Sequence, residues 1–470
     1  MNEIGNIIEL ESDYLIIGCG AVGMAFADII LSETNSSLIM VDRLHKPGGH
    51  WNLAYPFVKL HQPSAFYGVS STDLGKEEYD QSGLNKGLRH LATGDEILAY
   101  YNDIMQNKFI PSGRVKFFPL CNYQGGNKFV SNLTGHSYEV KIEKKLVNAS
   151  HMRTIVPSTH IPNFTVSPDV LFIPINEMPR IAEPPPEIVI IGGGKTGVDA
   201  ILWLLENEFD PEKITWVISR DAWFTDRKNT QPTKEYLKDF LNFQASQFEA
   251  LEKSTSLTDL FKRLERAGVL LRIDKNVTPT MFRGATVSQL ELEQLRRVRN
   301  TVRKGRIKSI KKNEVVLERG KMTFSPGGVF VDCSADALSH AEITQVFSED
   351  LITIQPVRGG QIVFSAAFIA HVESAYANKE KKNELCQVVP LPSKDTDWLK
   401  MLAGSMKNNY LWKKDRKLTN WIRKNRLDGF SDLMANIEAD DLDLLKIRKR
   451  IRQSVAPAVK QLQILISELE

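Results

Sequence analysis

Two glycine-rich turns constrain the fold of this chain, because each lies between a short apolar run and a segment with helical character. The first turn, GCGAVG at residues 18–23, follows the apolar run 14–17. The second, GGGKTG at residues 192–197, follows the run 187–191. Another apolar run comes after each helical segment, within the length of one strand–helix–strand unit. The sequence therefore predicts two such units, each with buried parallel strands.

Both turns have the spacing Gly-x-Gly-x-x-Gly, in which each glycine has its own task. The first glycine permits the tight turn, the second lets the backbone approach a pyrophosphate, and the third lets helix and strand pack closely. The N-terminus of the helix then offers free N–H groups to the phosphates. The glycines concerned are Gly18, Gly20 and Gly23 in the first turn and Gly192, Gly194 and Gly197 in the second. We therefore expect an α/β fold with two Rossmann-like dinucleotide-binding domains.

The second turn also contains Gly-Lys-Thr, the end of a P-loop motif. A P-loop requires a glycine five residues before Gly194, and that position is Val189, inside the apolar run. The P-loop interpretation therefore fails. We expect Lys195 and Thr196 to contact the second nucleotide at the start of its helix.

The two units differ at the end of their second strand, where a dinucleotide-binding domain contacts the ribose. Asp42 stands there in the first unit, nineteen residues after Gly23, and a carboxylate accepts hydrogen bonds from a ribose. The matching residues of the second unit are Ser219 and Arg220. A guanidinium pairs with a ribose 2′-phosphate, which a carboxylate would repel. The pattern therefore indicates FAD at the first turn and NADPH at the second. A surface salt bridge of Arg220 with Asp221 or with another neighbouring residue is the competing structural explanation.

A set of motifs follows Asp42 at short intervals. The segment GGHWN occupies residues 48–52. Further matches are Tyr55-Pro56, Ser64, Tyr67 and the segment TGDEILAY at 93–100. With the two glycine turns, these motifs resemble those of the class B flavin-dependent monooxygenases, which include flavin-containing, Baeyer–Villiger and N-hydroxylating enzymes. The family's Gly-Gly-x-Trp segment lies along the flavin. Residues 147–150 and 331–335 are similar to the segments where such enzymes cross between domains.

The resemblance implies an enzyme in which NADPH reduces FAD and a flavin hydroperoxide passes one oxygen atom to a small molecule. It places at the cofactor Gly49, His50, Trp51 and Ser64. We expect Lys59, His61 and Gln62 to take part in catalysis. His61 would exchange a proton near neutral pH, and Lys59 would stabilise a peroxide anion. The alternatives are a hydrogen-bonded structural histidine and a solvated surface lysine.

The sequence also departs from the family pattern. Residues 166–174 lack both the glycine and the histidine of the Phe-x-Gly-x-x-x-His fingerprint that Baeyer–Villiger enzymes carry before the second turn. The family's Ala-Thr-Gly crossings are altered to Ala149-Ser150 and Ser334-Ala335. An Arg-x-Asp motif is replaced by Lys59-Leu60-His61. The resemblance therefore supports FAD and NADPH binding better than it supports oxygenation.

These departures leave two other functions open. The first is an NAD(P)H oxidase or reductase that passes electrons onward without oxygenating a substrate. The second is a catalytically silent, nucleotide-binding redox sensor, for which the basic segment 407–426 would be a partner surface. A solvated helix face is the structural alternative for that segment.

Composition excludes several other classes. A net charge of +3 argues against nucleic acid as the main partner. The four cysteines are scattered and the histidines dispersed, which argues against a disulfide framework and a metal site. No apolar run is long enough to span a membrane, and the acidic N-terminus is unlike a signal peptide. We expect a cytoplasmic enzyme that uses dioxygen and a small-molecule substrate, and a homo-oligomer is compatible with the sequence.

Changes in pattern predict four regions in the chain. Residues 1–180 would begin the FAD domain, 181–325 would form the NAD(P)H domain, 326–390 would return to the FAD domain, and 391–470 would form a helical extension. Within the second region, leucines and charges at helical spacing predict a helical insertion over about 234–304. Near the C-terminus, an apolar stripe from Ile447 to Leu469 predicts a helix that Pro457 would interrupt.

Overall fold

A computed structural model describes residues 7–75, 77–336 and 341–469. The strands are β1 (Ile8–Ile17), β2 (Leu38–Val41), β3 (Val115–Phe118), β4 (Cys121–Gly125), β5 (Lys128–Ser131), β6 (Ser137–Asn148), β7 (Thr165–Val166), β8 (Leu171–Pro174), β9 (Ile188–Ile191), β10 (Ile214–Val217), β11 (Ala222–Asp226), β12 (Met281–Val287), β13 (Thr301–Val302), β14 (Ile307–Ile310), β15 (Val315–Leu317), β16 (Gly320–Met322), β17 (Val329–Asp332) and β18 (Leu351–Thr353). The α-helices are α1 (Ala21–Glu33), α2 (Gly94–Asp103), α3 (Lys195–Glu206), α4 (Leu237–Lys253), α5 (Leu257–Arg266), α6 (Gln289–Leu295), α7 (Ile362–Ala375), α8 (Lys379–Leu385), α9 (Asp397–Trp412), α10 (Arg416–Lys424), α11 (Ser431–Ala435) and α12 (Leu442–Ser467).

The first sheet contains the first predicted strand–helix–strand unit. Its strand order is β3-β2-β1-β6-β5-β4. Strand β18 pairs with the C-terminal end of β6, on the edge opposite β1. Strands β1, β2, β3, β6 and β18 are mutually parallel, whereas β4 and β5 form an antiparallel hairpin that extends from β6. Helix α1 is buried along almost its whole length, because α7 packs beside it in the apolar core under this sheet.

The second sheet contains the second predicted unit. Its order is β13-β10-β9-β17-β8, and all of these strands are parallel. Strands β9, β10 and β17 are buried on both faces, in keeping with their mostly apolar sequences, which only Thr215 and Asp332 interrupt. Both predicted Rossmann-like domains are therefore present, and the fold class is α/β as expected.

The predicted helical insertion is only partly helical. Helices α4, α5 and α6 lie within residues 234–304, but the same range contains the strands β12 and β13. Strand β12 pairs in parallel with β11, which follows the second sheet in the chain. The sequence missed β12 because the flanking leucines repeat at helical spacing, and only a distant partner strand stabilises this segment as a strand.

The chain crosses between the two sheets where the altered crossing motifs stand. It leaves the first sheet after β6, at Ala149-Ser150, and returns after β17, before β18. Strands β8 and β17 pair within the second sheet, whereas the predicted boundaries at residues 180 and 326 group them with the FAD domain. Those strands are short, and their sheet is decided by pairing with β9 and β17 and not by local sequence.

The C-terminal region is helical, as predicted, and contains helices α9 to α12. Helix α12 packs along α4, and Ile447, Ala458 and Leu462 are buried on its inner face. The prediction that Pro457 interrupts this helix is wrong. Pro457 lies on the exposed face, where the carbonyl group that loses its amide partner is able to bind water. Within the residues that the structure describes, no helix combines the length and apolarity that crossing a membrane requires.

Candidate functional site

The two glycine turns have the same local geometry. Gly18 and Gly192 adopt positive φ angles of 101° and 131°, a region that glycine enters readily. A Cβ atom at Gly23 would lie 2.0 Å from the carbonyl oxygen of Gly18, and one at Gly197 would lie 2.1 Å from that of Gly192. The first and third glycines of each turn are therefore required for helix and strand to meet.

The first turn lies directly against the Gly-Gly-x-Trp segment. A Cβ atom on Gly49 would come within 2.8 Å of the Cα atom of Gly20. The amide of Gly48 donates to the carbonyl oxygen of Cys19, at 2.9 Å. Two backbone segments without side chains thus line the N-terminus of α1. Because neither segment has a side chain here, the backbone N–H groups at the start of α1 are left uncovered by side chains of these two segments, where a pyrophosphate would bind.

Asp42 supports the first turn as well as standing at the ribose position. Its carboxylate accepts hydrogen bonds from the amides of Cys19, at 2.6 Å, and Leu44, at 2.8 Å. The side chain is buried, and this burial raises its pKa, while the two amides oppose the rise. A carboxylate oxygen is able to accept more than one hydrogen bond, so Asp42 is still able to accept one from a ribose hydroxyl. Cys19 itself is fully buried, which raises the pKa of its thiol and agrees with a packing role.

His50 and Trp51 form a stacked pair beside this turn. Their ring centroids are 5.2 Å apart, and the Trp51 indole donates to the hydroxyl oxygen of Tyr67 at 2.6 Å. His50 is accessible to solvent, yet protein atoms surround it closely enough that desolvation lowers its pKa to about 4. A side chain that is both accessible and desolvated lines a cleft. His50 is therefore neutral near pH 7 and faces the expected cofactor space.

The structure also shows the surroundings of the predicted site residues Ser64, Lys59 and Gln62. The Ser64 hydroxyl donates to the carbonyl oxygen of His90 and accepts from the amide of Ala92, each at 2.9 Å. It is buried and joins two loops of the first domain. Lys59 is exposed and lies in an isolated backbone bridge with Thr93. The structure therefore gives Ser64 a structural task and leaves Lys59 at the surface. Gln62 is half-buried beside His61.

The middle glycine of the second turn, Gly194, borders open space, whereas the middle glycine of the first turn, Gly20, lies against the backbone of Gly49. A Cβ atom on Gly194 would meet no atom within 4 Å, and Gly194 caps the N-terminus of α3. Gly193, which sequence reasoning did not single out, is tightly enclosed, because its Cβ would lie 2.8 Å from the carbonyl oxygen of Arg220. Thr196, in the first turn of α3, is half-buried. Lys195 forms an ion pair with Asp199 one turn further along α3.

Arg220 lies in a cluster of cationic side chains at the carboxyl edge of the second sheet. Burial, followed by the guanidinium groups of Arg283 and Arg306, lowers its pKa, while Asp336 opposes this. The alternative pairing with Asp221 does not form, because Asp221 makes a bidentate ion pair with Arg303. Ser219 precedes Arg220 and is exposed. Since these guanidinium groups repel one another, the cluster favours binding of an anion.

The two domains meet between the turns. The Tyr55 hydroxyl donates to Asp199 at 2.5 Å, so the loop after the Gly-Gly-x-Trp segment is fixed to helix α3. The carbonyl oxygen of His61 accepts a hydrogen bond from Arg227 at 2.9 Å and another from the hydroxyl of Thr286. His61 and Lys195 are close enough to interact electrostatically. The loop that carries His61 therefore lies between the two domains, near the start of α3.

The prediction that His61 exchanges a proton near neutral pH is wrong for this conformation. Burial, then the positive charges of Lys195 and Arg227, lower its pKa to about 3. Its Nδ1 atom accepts a long hydrogen bond, 3.3 Å, from the amide of Thr286. The imidazole is therefore neutral at physiological pH and positions the loop. This outcome corresponds to the structural alternative for His61.

Arg227 is a residue of the site that sequence reasoning missed. It is 1% exposed and donates to His61, to Asn85 at 2.9 Å and to Glu291 at 2.7 Å. Glu291 also closes the capping box of α6 with Ser288. The Ser-x-x-Glu spacing is visible in the sequence, but the distant arginine that it holds is not. Tyr55 and Asp199 were missed as a pair for the same reason.

Comparison with known proteins identifies relatives over almost the whole chain. Uncharacterized protein Rv2000 of Mycobacterium tuberculosis and Uncharacterized protein Mb2023 of Mycobacterium bovis are each 44% identical over 446 residues. These residues are 95% of this chain and 81% of each relative. The chain therefore belongs to the same family as these mycobacterial proteins. No protein-family model matches it.

Comparison with solved structures identifies a shared fold. The polycyclic ketone monooxygenase of the thermophilic fungus Thermothelomyces thermophila superimposes with a TM-score of 0.53. The superposition covers 97% of this chain and 90% of that chain, at 12% sequence identity. This chain therefore has the fold of the class B flavin monooxygenases, as its glycine turns and Gly-Gly-x-Trp segment predicted.

Substitution of two glycines of the second turn should affect stability in one case and nucleotide binding in the other. Gly197→Ala would place a methyl group 2.1 Å from a backbone oxygen, so we expect a loss of about 1–3 kcal/mol or more in unfolding free energy. Gly194→Ala meets no atom of the protein, so we expect an unchanged melting temperature but weaker nucleotide binding. Thermal unfolding and calorimetric titration with NADPH measure the two effects. Equal destabilisation by both variants would contradict this geometry.

The burial of His61 predicts a pH dependence of stability. The unfolded chain binds a proton at His61 below pH 6.5, and the folded chain does so only near pH 3. Folding therefore weakens as pH falls through this window, by at most about 1.4 kcal/mol per pH unit, and His61 contributes nothing above pH 6.5. His61→Asn keeps an acceptor for Thr286 and should flatten the dependence. The exposed His136→Asn is the matched control. Equal pH profiles for all three proteins in denaturant unfolding would show that His61 is not buried in this way.

Proposed function

We propose that this chain is a flavin-dependent oxidoreductase that binds FAD at the turn 18–23 and NADPH at the turn 192–197. We further propose that it is a monooxygenase of a small molecule. The observation that carries the proposal is the pair of glycine turns with opposite strand-end chemistry. Asp42 stands at the ribose position of one turn, and Arg220 within a cationic cluster stands at that of the other.

The residues around the first turn fit FAD. Glycines 20 and 49 leave no side chain at the N-terminus of α1, so a pyrophosphate would be held there by backbone N–H groups. Asp42 would accept a hydrogen bond from the ribose. His50 lines the neighbouring cleft, and its pKa of about 4 keeps the ring uncharged. An uncharged imidazole is able to accept or donate one hydrogen bond toward a polar ring edge.

The residues around the second turn fit NADPH. The open face of Gly194 leaves room for a pyrophosphate at the start of α3. Arg220 would pair with the 2′-phosphate, since Arg303 already neutralises Asp221. Lys195 is held by Asp199, which also accepts from Tyr55, and this contact would fix the approach of the two cofactors. When bound, the two cofactors supply hydride transfer and the activation of dioxygen.

The chain's own contribution to the reaction would be positioning and exclusion of water. Tyr55 is buried, and burial together with Asp199 holds the pKa of its hydroxyl far above the ordinary value. The Tyr55 hydroxyl therefore keeps its proton on the hydrogen bond to Asp199. His61, neutral and tied to Arg227 and Thr286, would fix the loop beside the cofactors. None of these three contacts delivers a proton near pH 7, so an acid for the reaction would come from the substrate or from water.

The purified protein tests the proposal directly. We expect it to carry FAD, and we expect NADPH to bleach the flavin absorbance under anaerobic conditions. On admission of oxygen with a panel of small ketones, amines and sulfides, an oxygenated product should account for NADPH that is not recovered as hydrogen peroxide. Equal amounts of peroxide formed and NADPH consumed with every compound would instead favour an oxidase. Protein without flavin would contradict the FAD site.

The cofactor preference tests the role of Arg220. Arg220→Ala should weaken NADPH binding by roughly 10–100-fold, the strength of one or two hydrogen bonds to a charged group, with little effect on NADH. Lys213→Ala is the matched control, because Lys213 is exposed and precedes β10 at the opposite edge of the same sheet. Dissociation constants and kcat/KM for both cofactors are the measurements. An unchanged preference in Arg220→Ala would contradict the assignment.

A further inference from the structure

A carboxylate occupies the centre of the cationic cluster beside the second turn. Asp336 forms a bidentate ion pair with Arg283, with contacts of 2.9 Å and 3.2 Å. It also lies near enough to Arg220 to affect the pKa of that guanidinium. Asp336 therefore pairs with one arginine of the cluster and lies near a second, at the site proposed for the 2′-phosphate.

The fold brings these residues together from three separate segments. Arg220 follows β10, and Arg283 lies in β12, whose first residue Met281 donates to the backbone of Asp221. Asp336 lies four residues beyond the end of β17. Strand β17 pairs with β9, the strand that leads into the second glycine turn. The carboxyl edge of a parallel sheet is the edge where such domains bind their ligands. All three side chains are therefore placed at the ligand-binding edge.

The arrangement does not satisfy Arg283 fully. Among the buried polar atoms of the described residues, its Nε atom has no hydrogen-bond partner. Arg283 is 22% exposed and Asp336 is 34% exposed, so the pair is accessible from solvent on the carboxylate side. A phosphate carries more acceptor oxygens and more charge than a carboxylate, and it would satisfy two arginines better.

We propose that Asp336 is an internal counter-ion of the 2′-phosphate site, which NADPH must displace from Arg283 in order to bind. The inference rests on the proposed binding of NADPH at the second turn. It makes Asp336 a specificity-determining residue, because a carboxylate at this position repels a 2′-phosphate and does not repel a 2′-hydroxyl. Asp336 thus offsets part of the charge of the cationic cluster in the absence of cofactor, and the affinity for NADPH is lower in return.

The test separates the 2′-phosphate from the rest of the cofactor. Calorimetric titrations use adenosine 2′,5′-bisphosphate, which carries the 2′-phosphate, and adenosine 5′-monophosphate, which lacks it. We expect Asp336→Asn to bind the bisphosphate roughly tenfold more tightly, the strength of one hydrogen bond to a charged group, and the monophosphate equally well. Glu183→Gln is the matched control, since it removes one exposed acid ahead of β9, toward the opposite edge of the sheet. Asp336→Ser provides a second variant, and melting temperatures show that each protein is folded.

Three results would overturn the inference. Unchanged affinity of both Asp336 variants for the bisphosphate would show that the carboxylate does not compete. Weaker binding of the bisphosphate would show that Asp336 holds Arg283 in a productive position. Weaker binding of the monophosphate would show that Asp336 accepts hydrogen bonds from the ribose. Failure of the proposed NADPH site itself would be seen separately, as a wild-type protein that binds both ligands equally and is unaffected by Arg220→Ala.

Discussion

Each nucleotide turn depends on one contact between a helix and a carbonyl oxygen. At Gly23 and Gly197 the helix comes so near the preceding strand that a side chain would overlap the first residue of the turn. This contact sets the position of the helix N-terminus over the carboxyl edge of its sheet. The strand-end residues Asp42 and Arg220 are brought to the same edge by the pairing of β2 and β10 with their neighbours. The chemistry of both sites therefore depends on two close approaches of backbone to backbone.

The sequence predicted those features of the fold that local sequence patterns determine. The two strand–turn–helix–strand units, the crossings near Ala149 and Ser334 and the C-terminal helices all follow from apolar periodicity, glycine spacing and family motifs. The sequence did not predict those features that depend on contacts between residues far apart in the chain. Strand β12 is stabilised by its pairing with β11. The position of the Arg227 side chain is determined by Glu291 and Asn85, and each of these residues is more than sixty positions from Arg227 in the sequence. The pKa of His61 was missed for the same reason, because its burial and its cationic neighbours come from the other domain.

The two nucleotide sites differ in how their charges are balanced. In the first, the carboxylate of Asp42 is bound by two amides of its own turn region, so its position is fixed before any ligand arrives. In the second, the cations are balanced by side chains: Arg303 by Asp221, Arg283 by Asp336, and Lys195 by Asp199. A site held by backbone amides is rigid, whereas side-chain ion pairs exchange partners with little rearrangement of the chain. The first site is therefore fixed by the backbone of its own turn region, and the second by contacts between side chains.

The buried guanidinium of Arg227 has a consequence for motion between the two domains. It joins the loop of His61 and Asn85 in the first domain to Thr286 and Glu291 in the second, and it is almost completely enclosed. Separating a buried arginine from its carboxylate costs about 3–5 kcal/mol. A rotation of one domain against the other at this point therefore has to break this ion pair or carry all of its members along together. Arg227 is therefore a buried cross-link between the domain of the first glycine turn and the domain of the second.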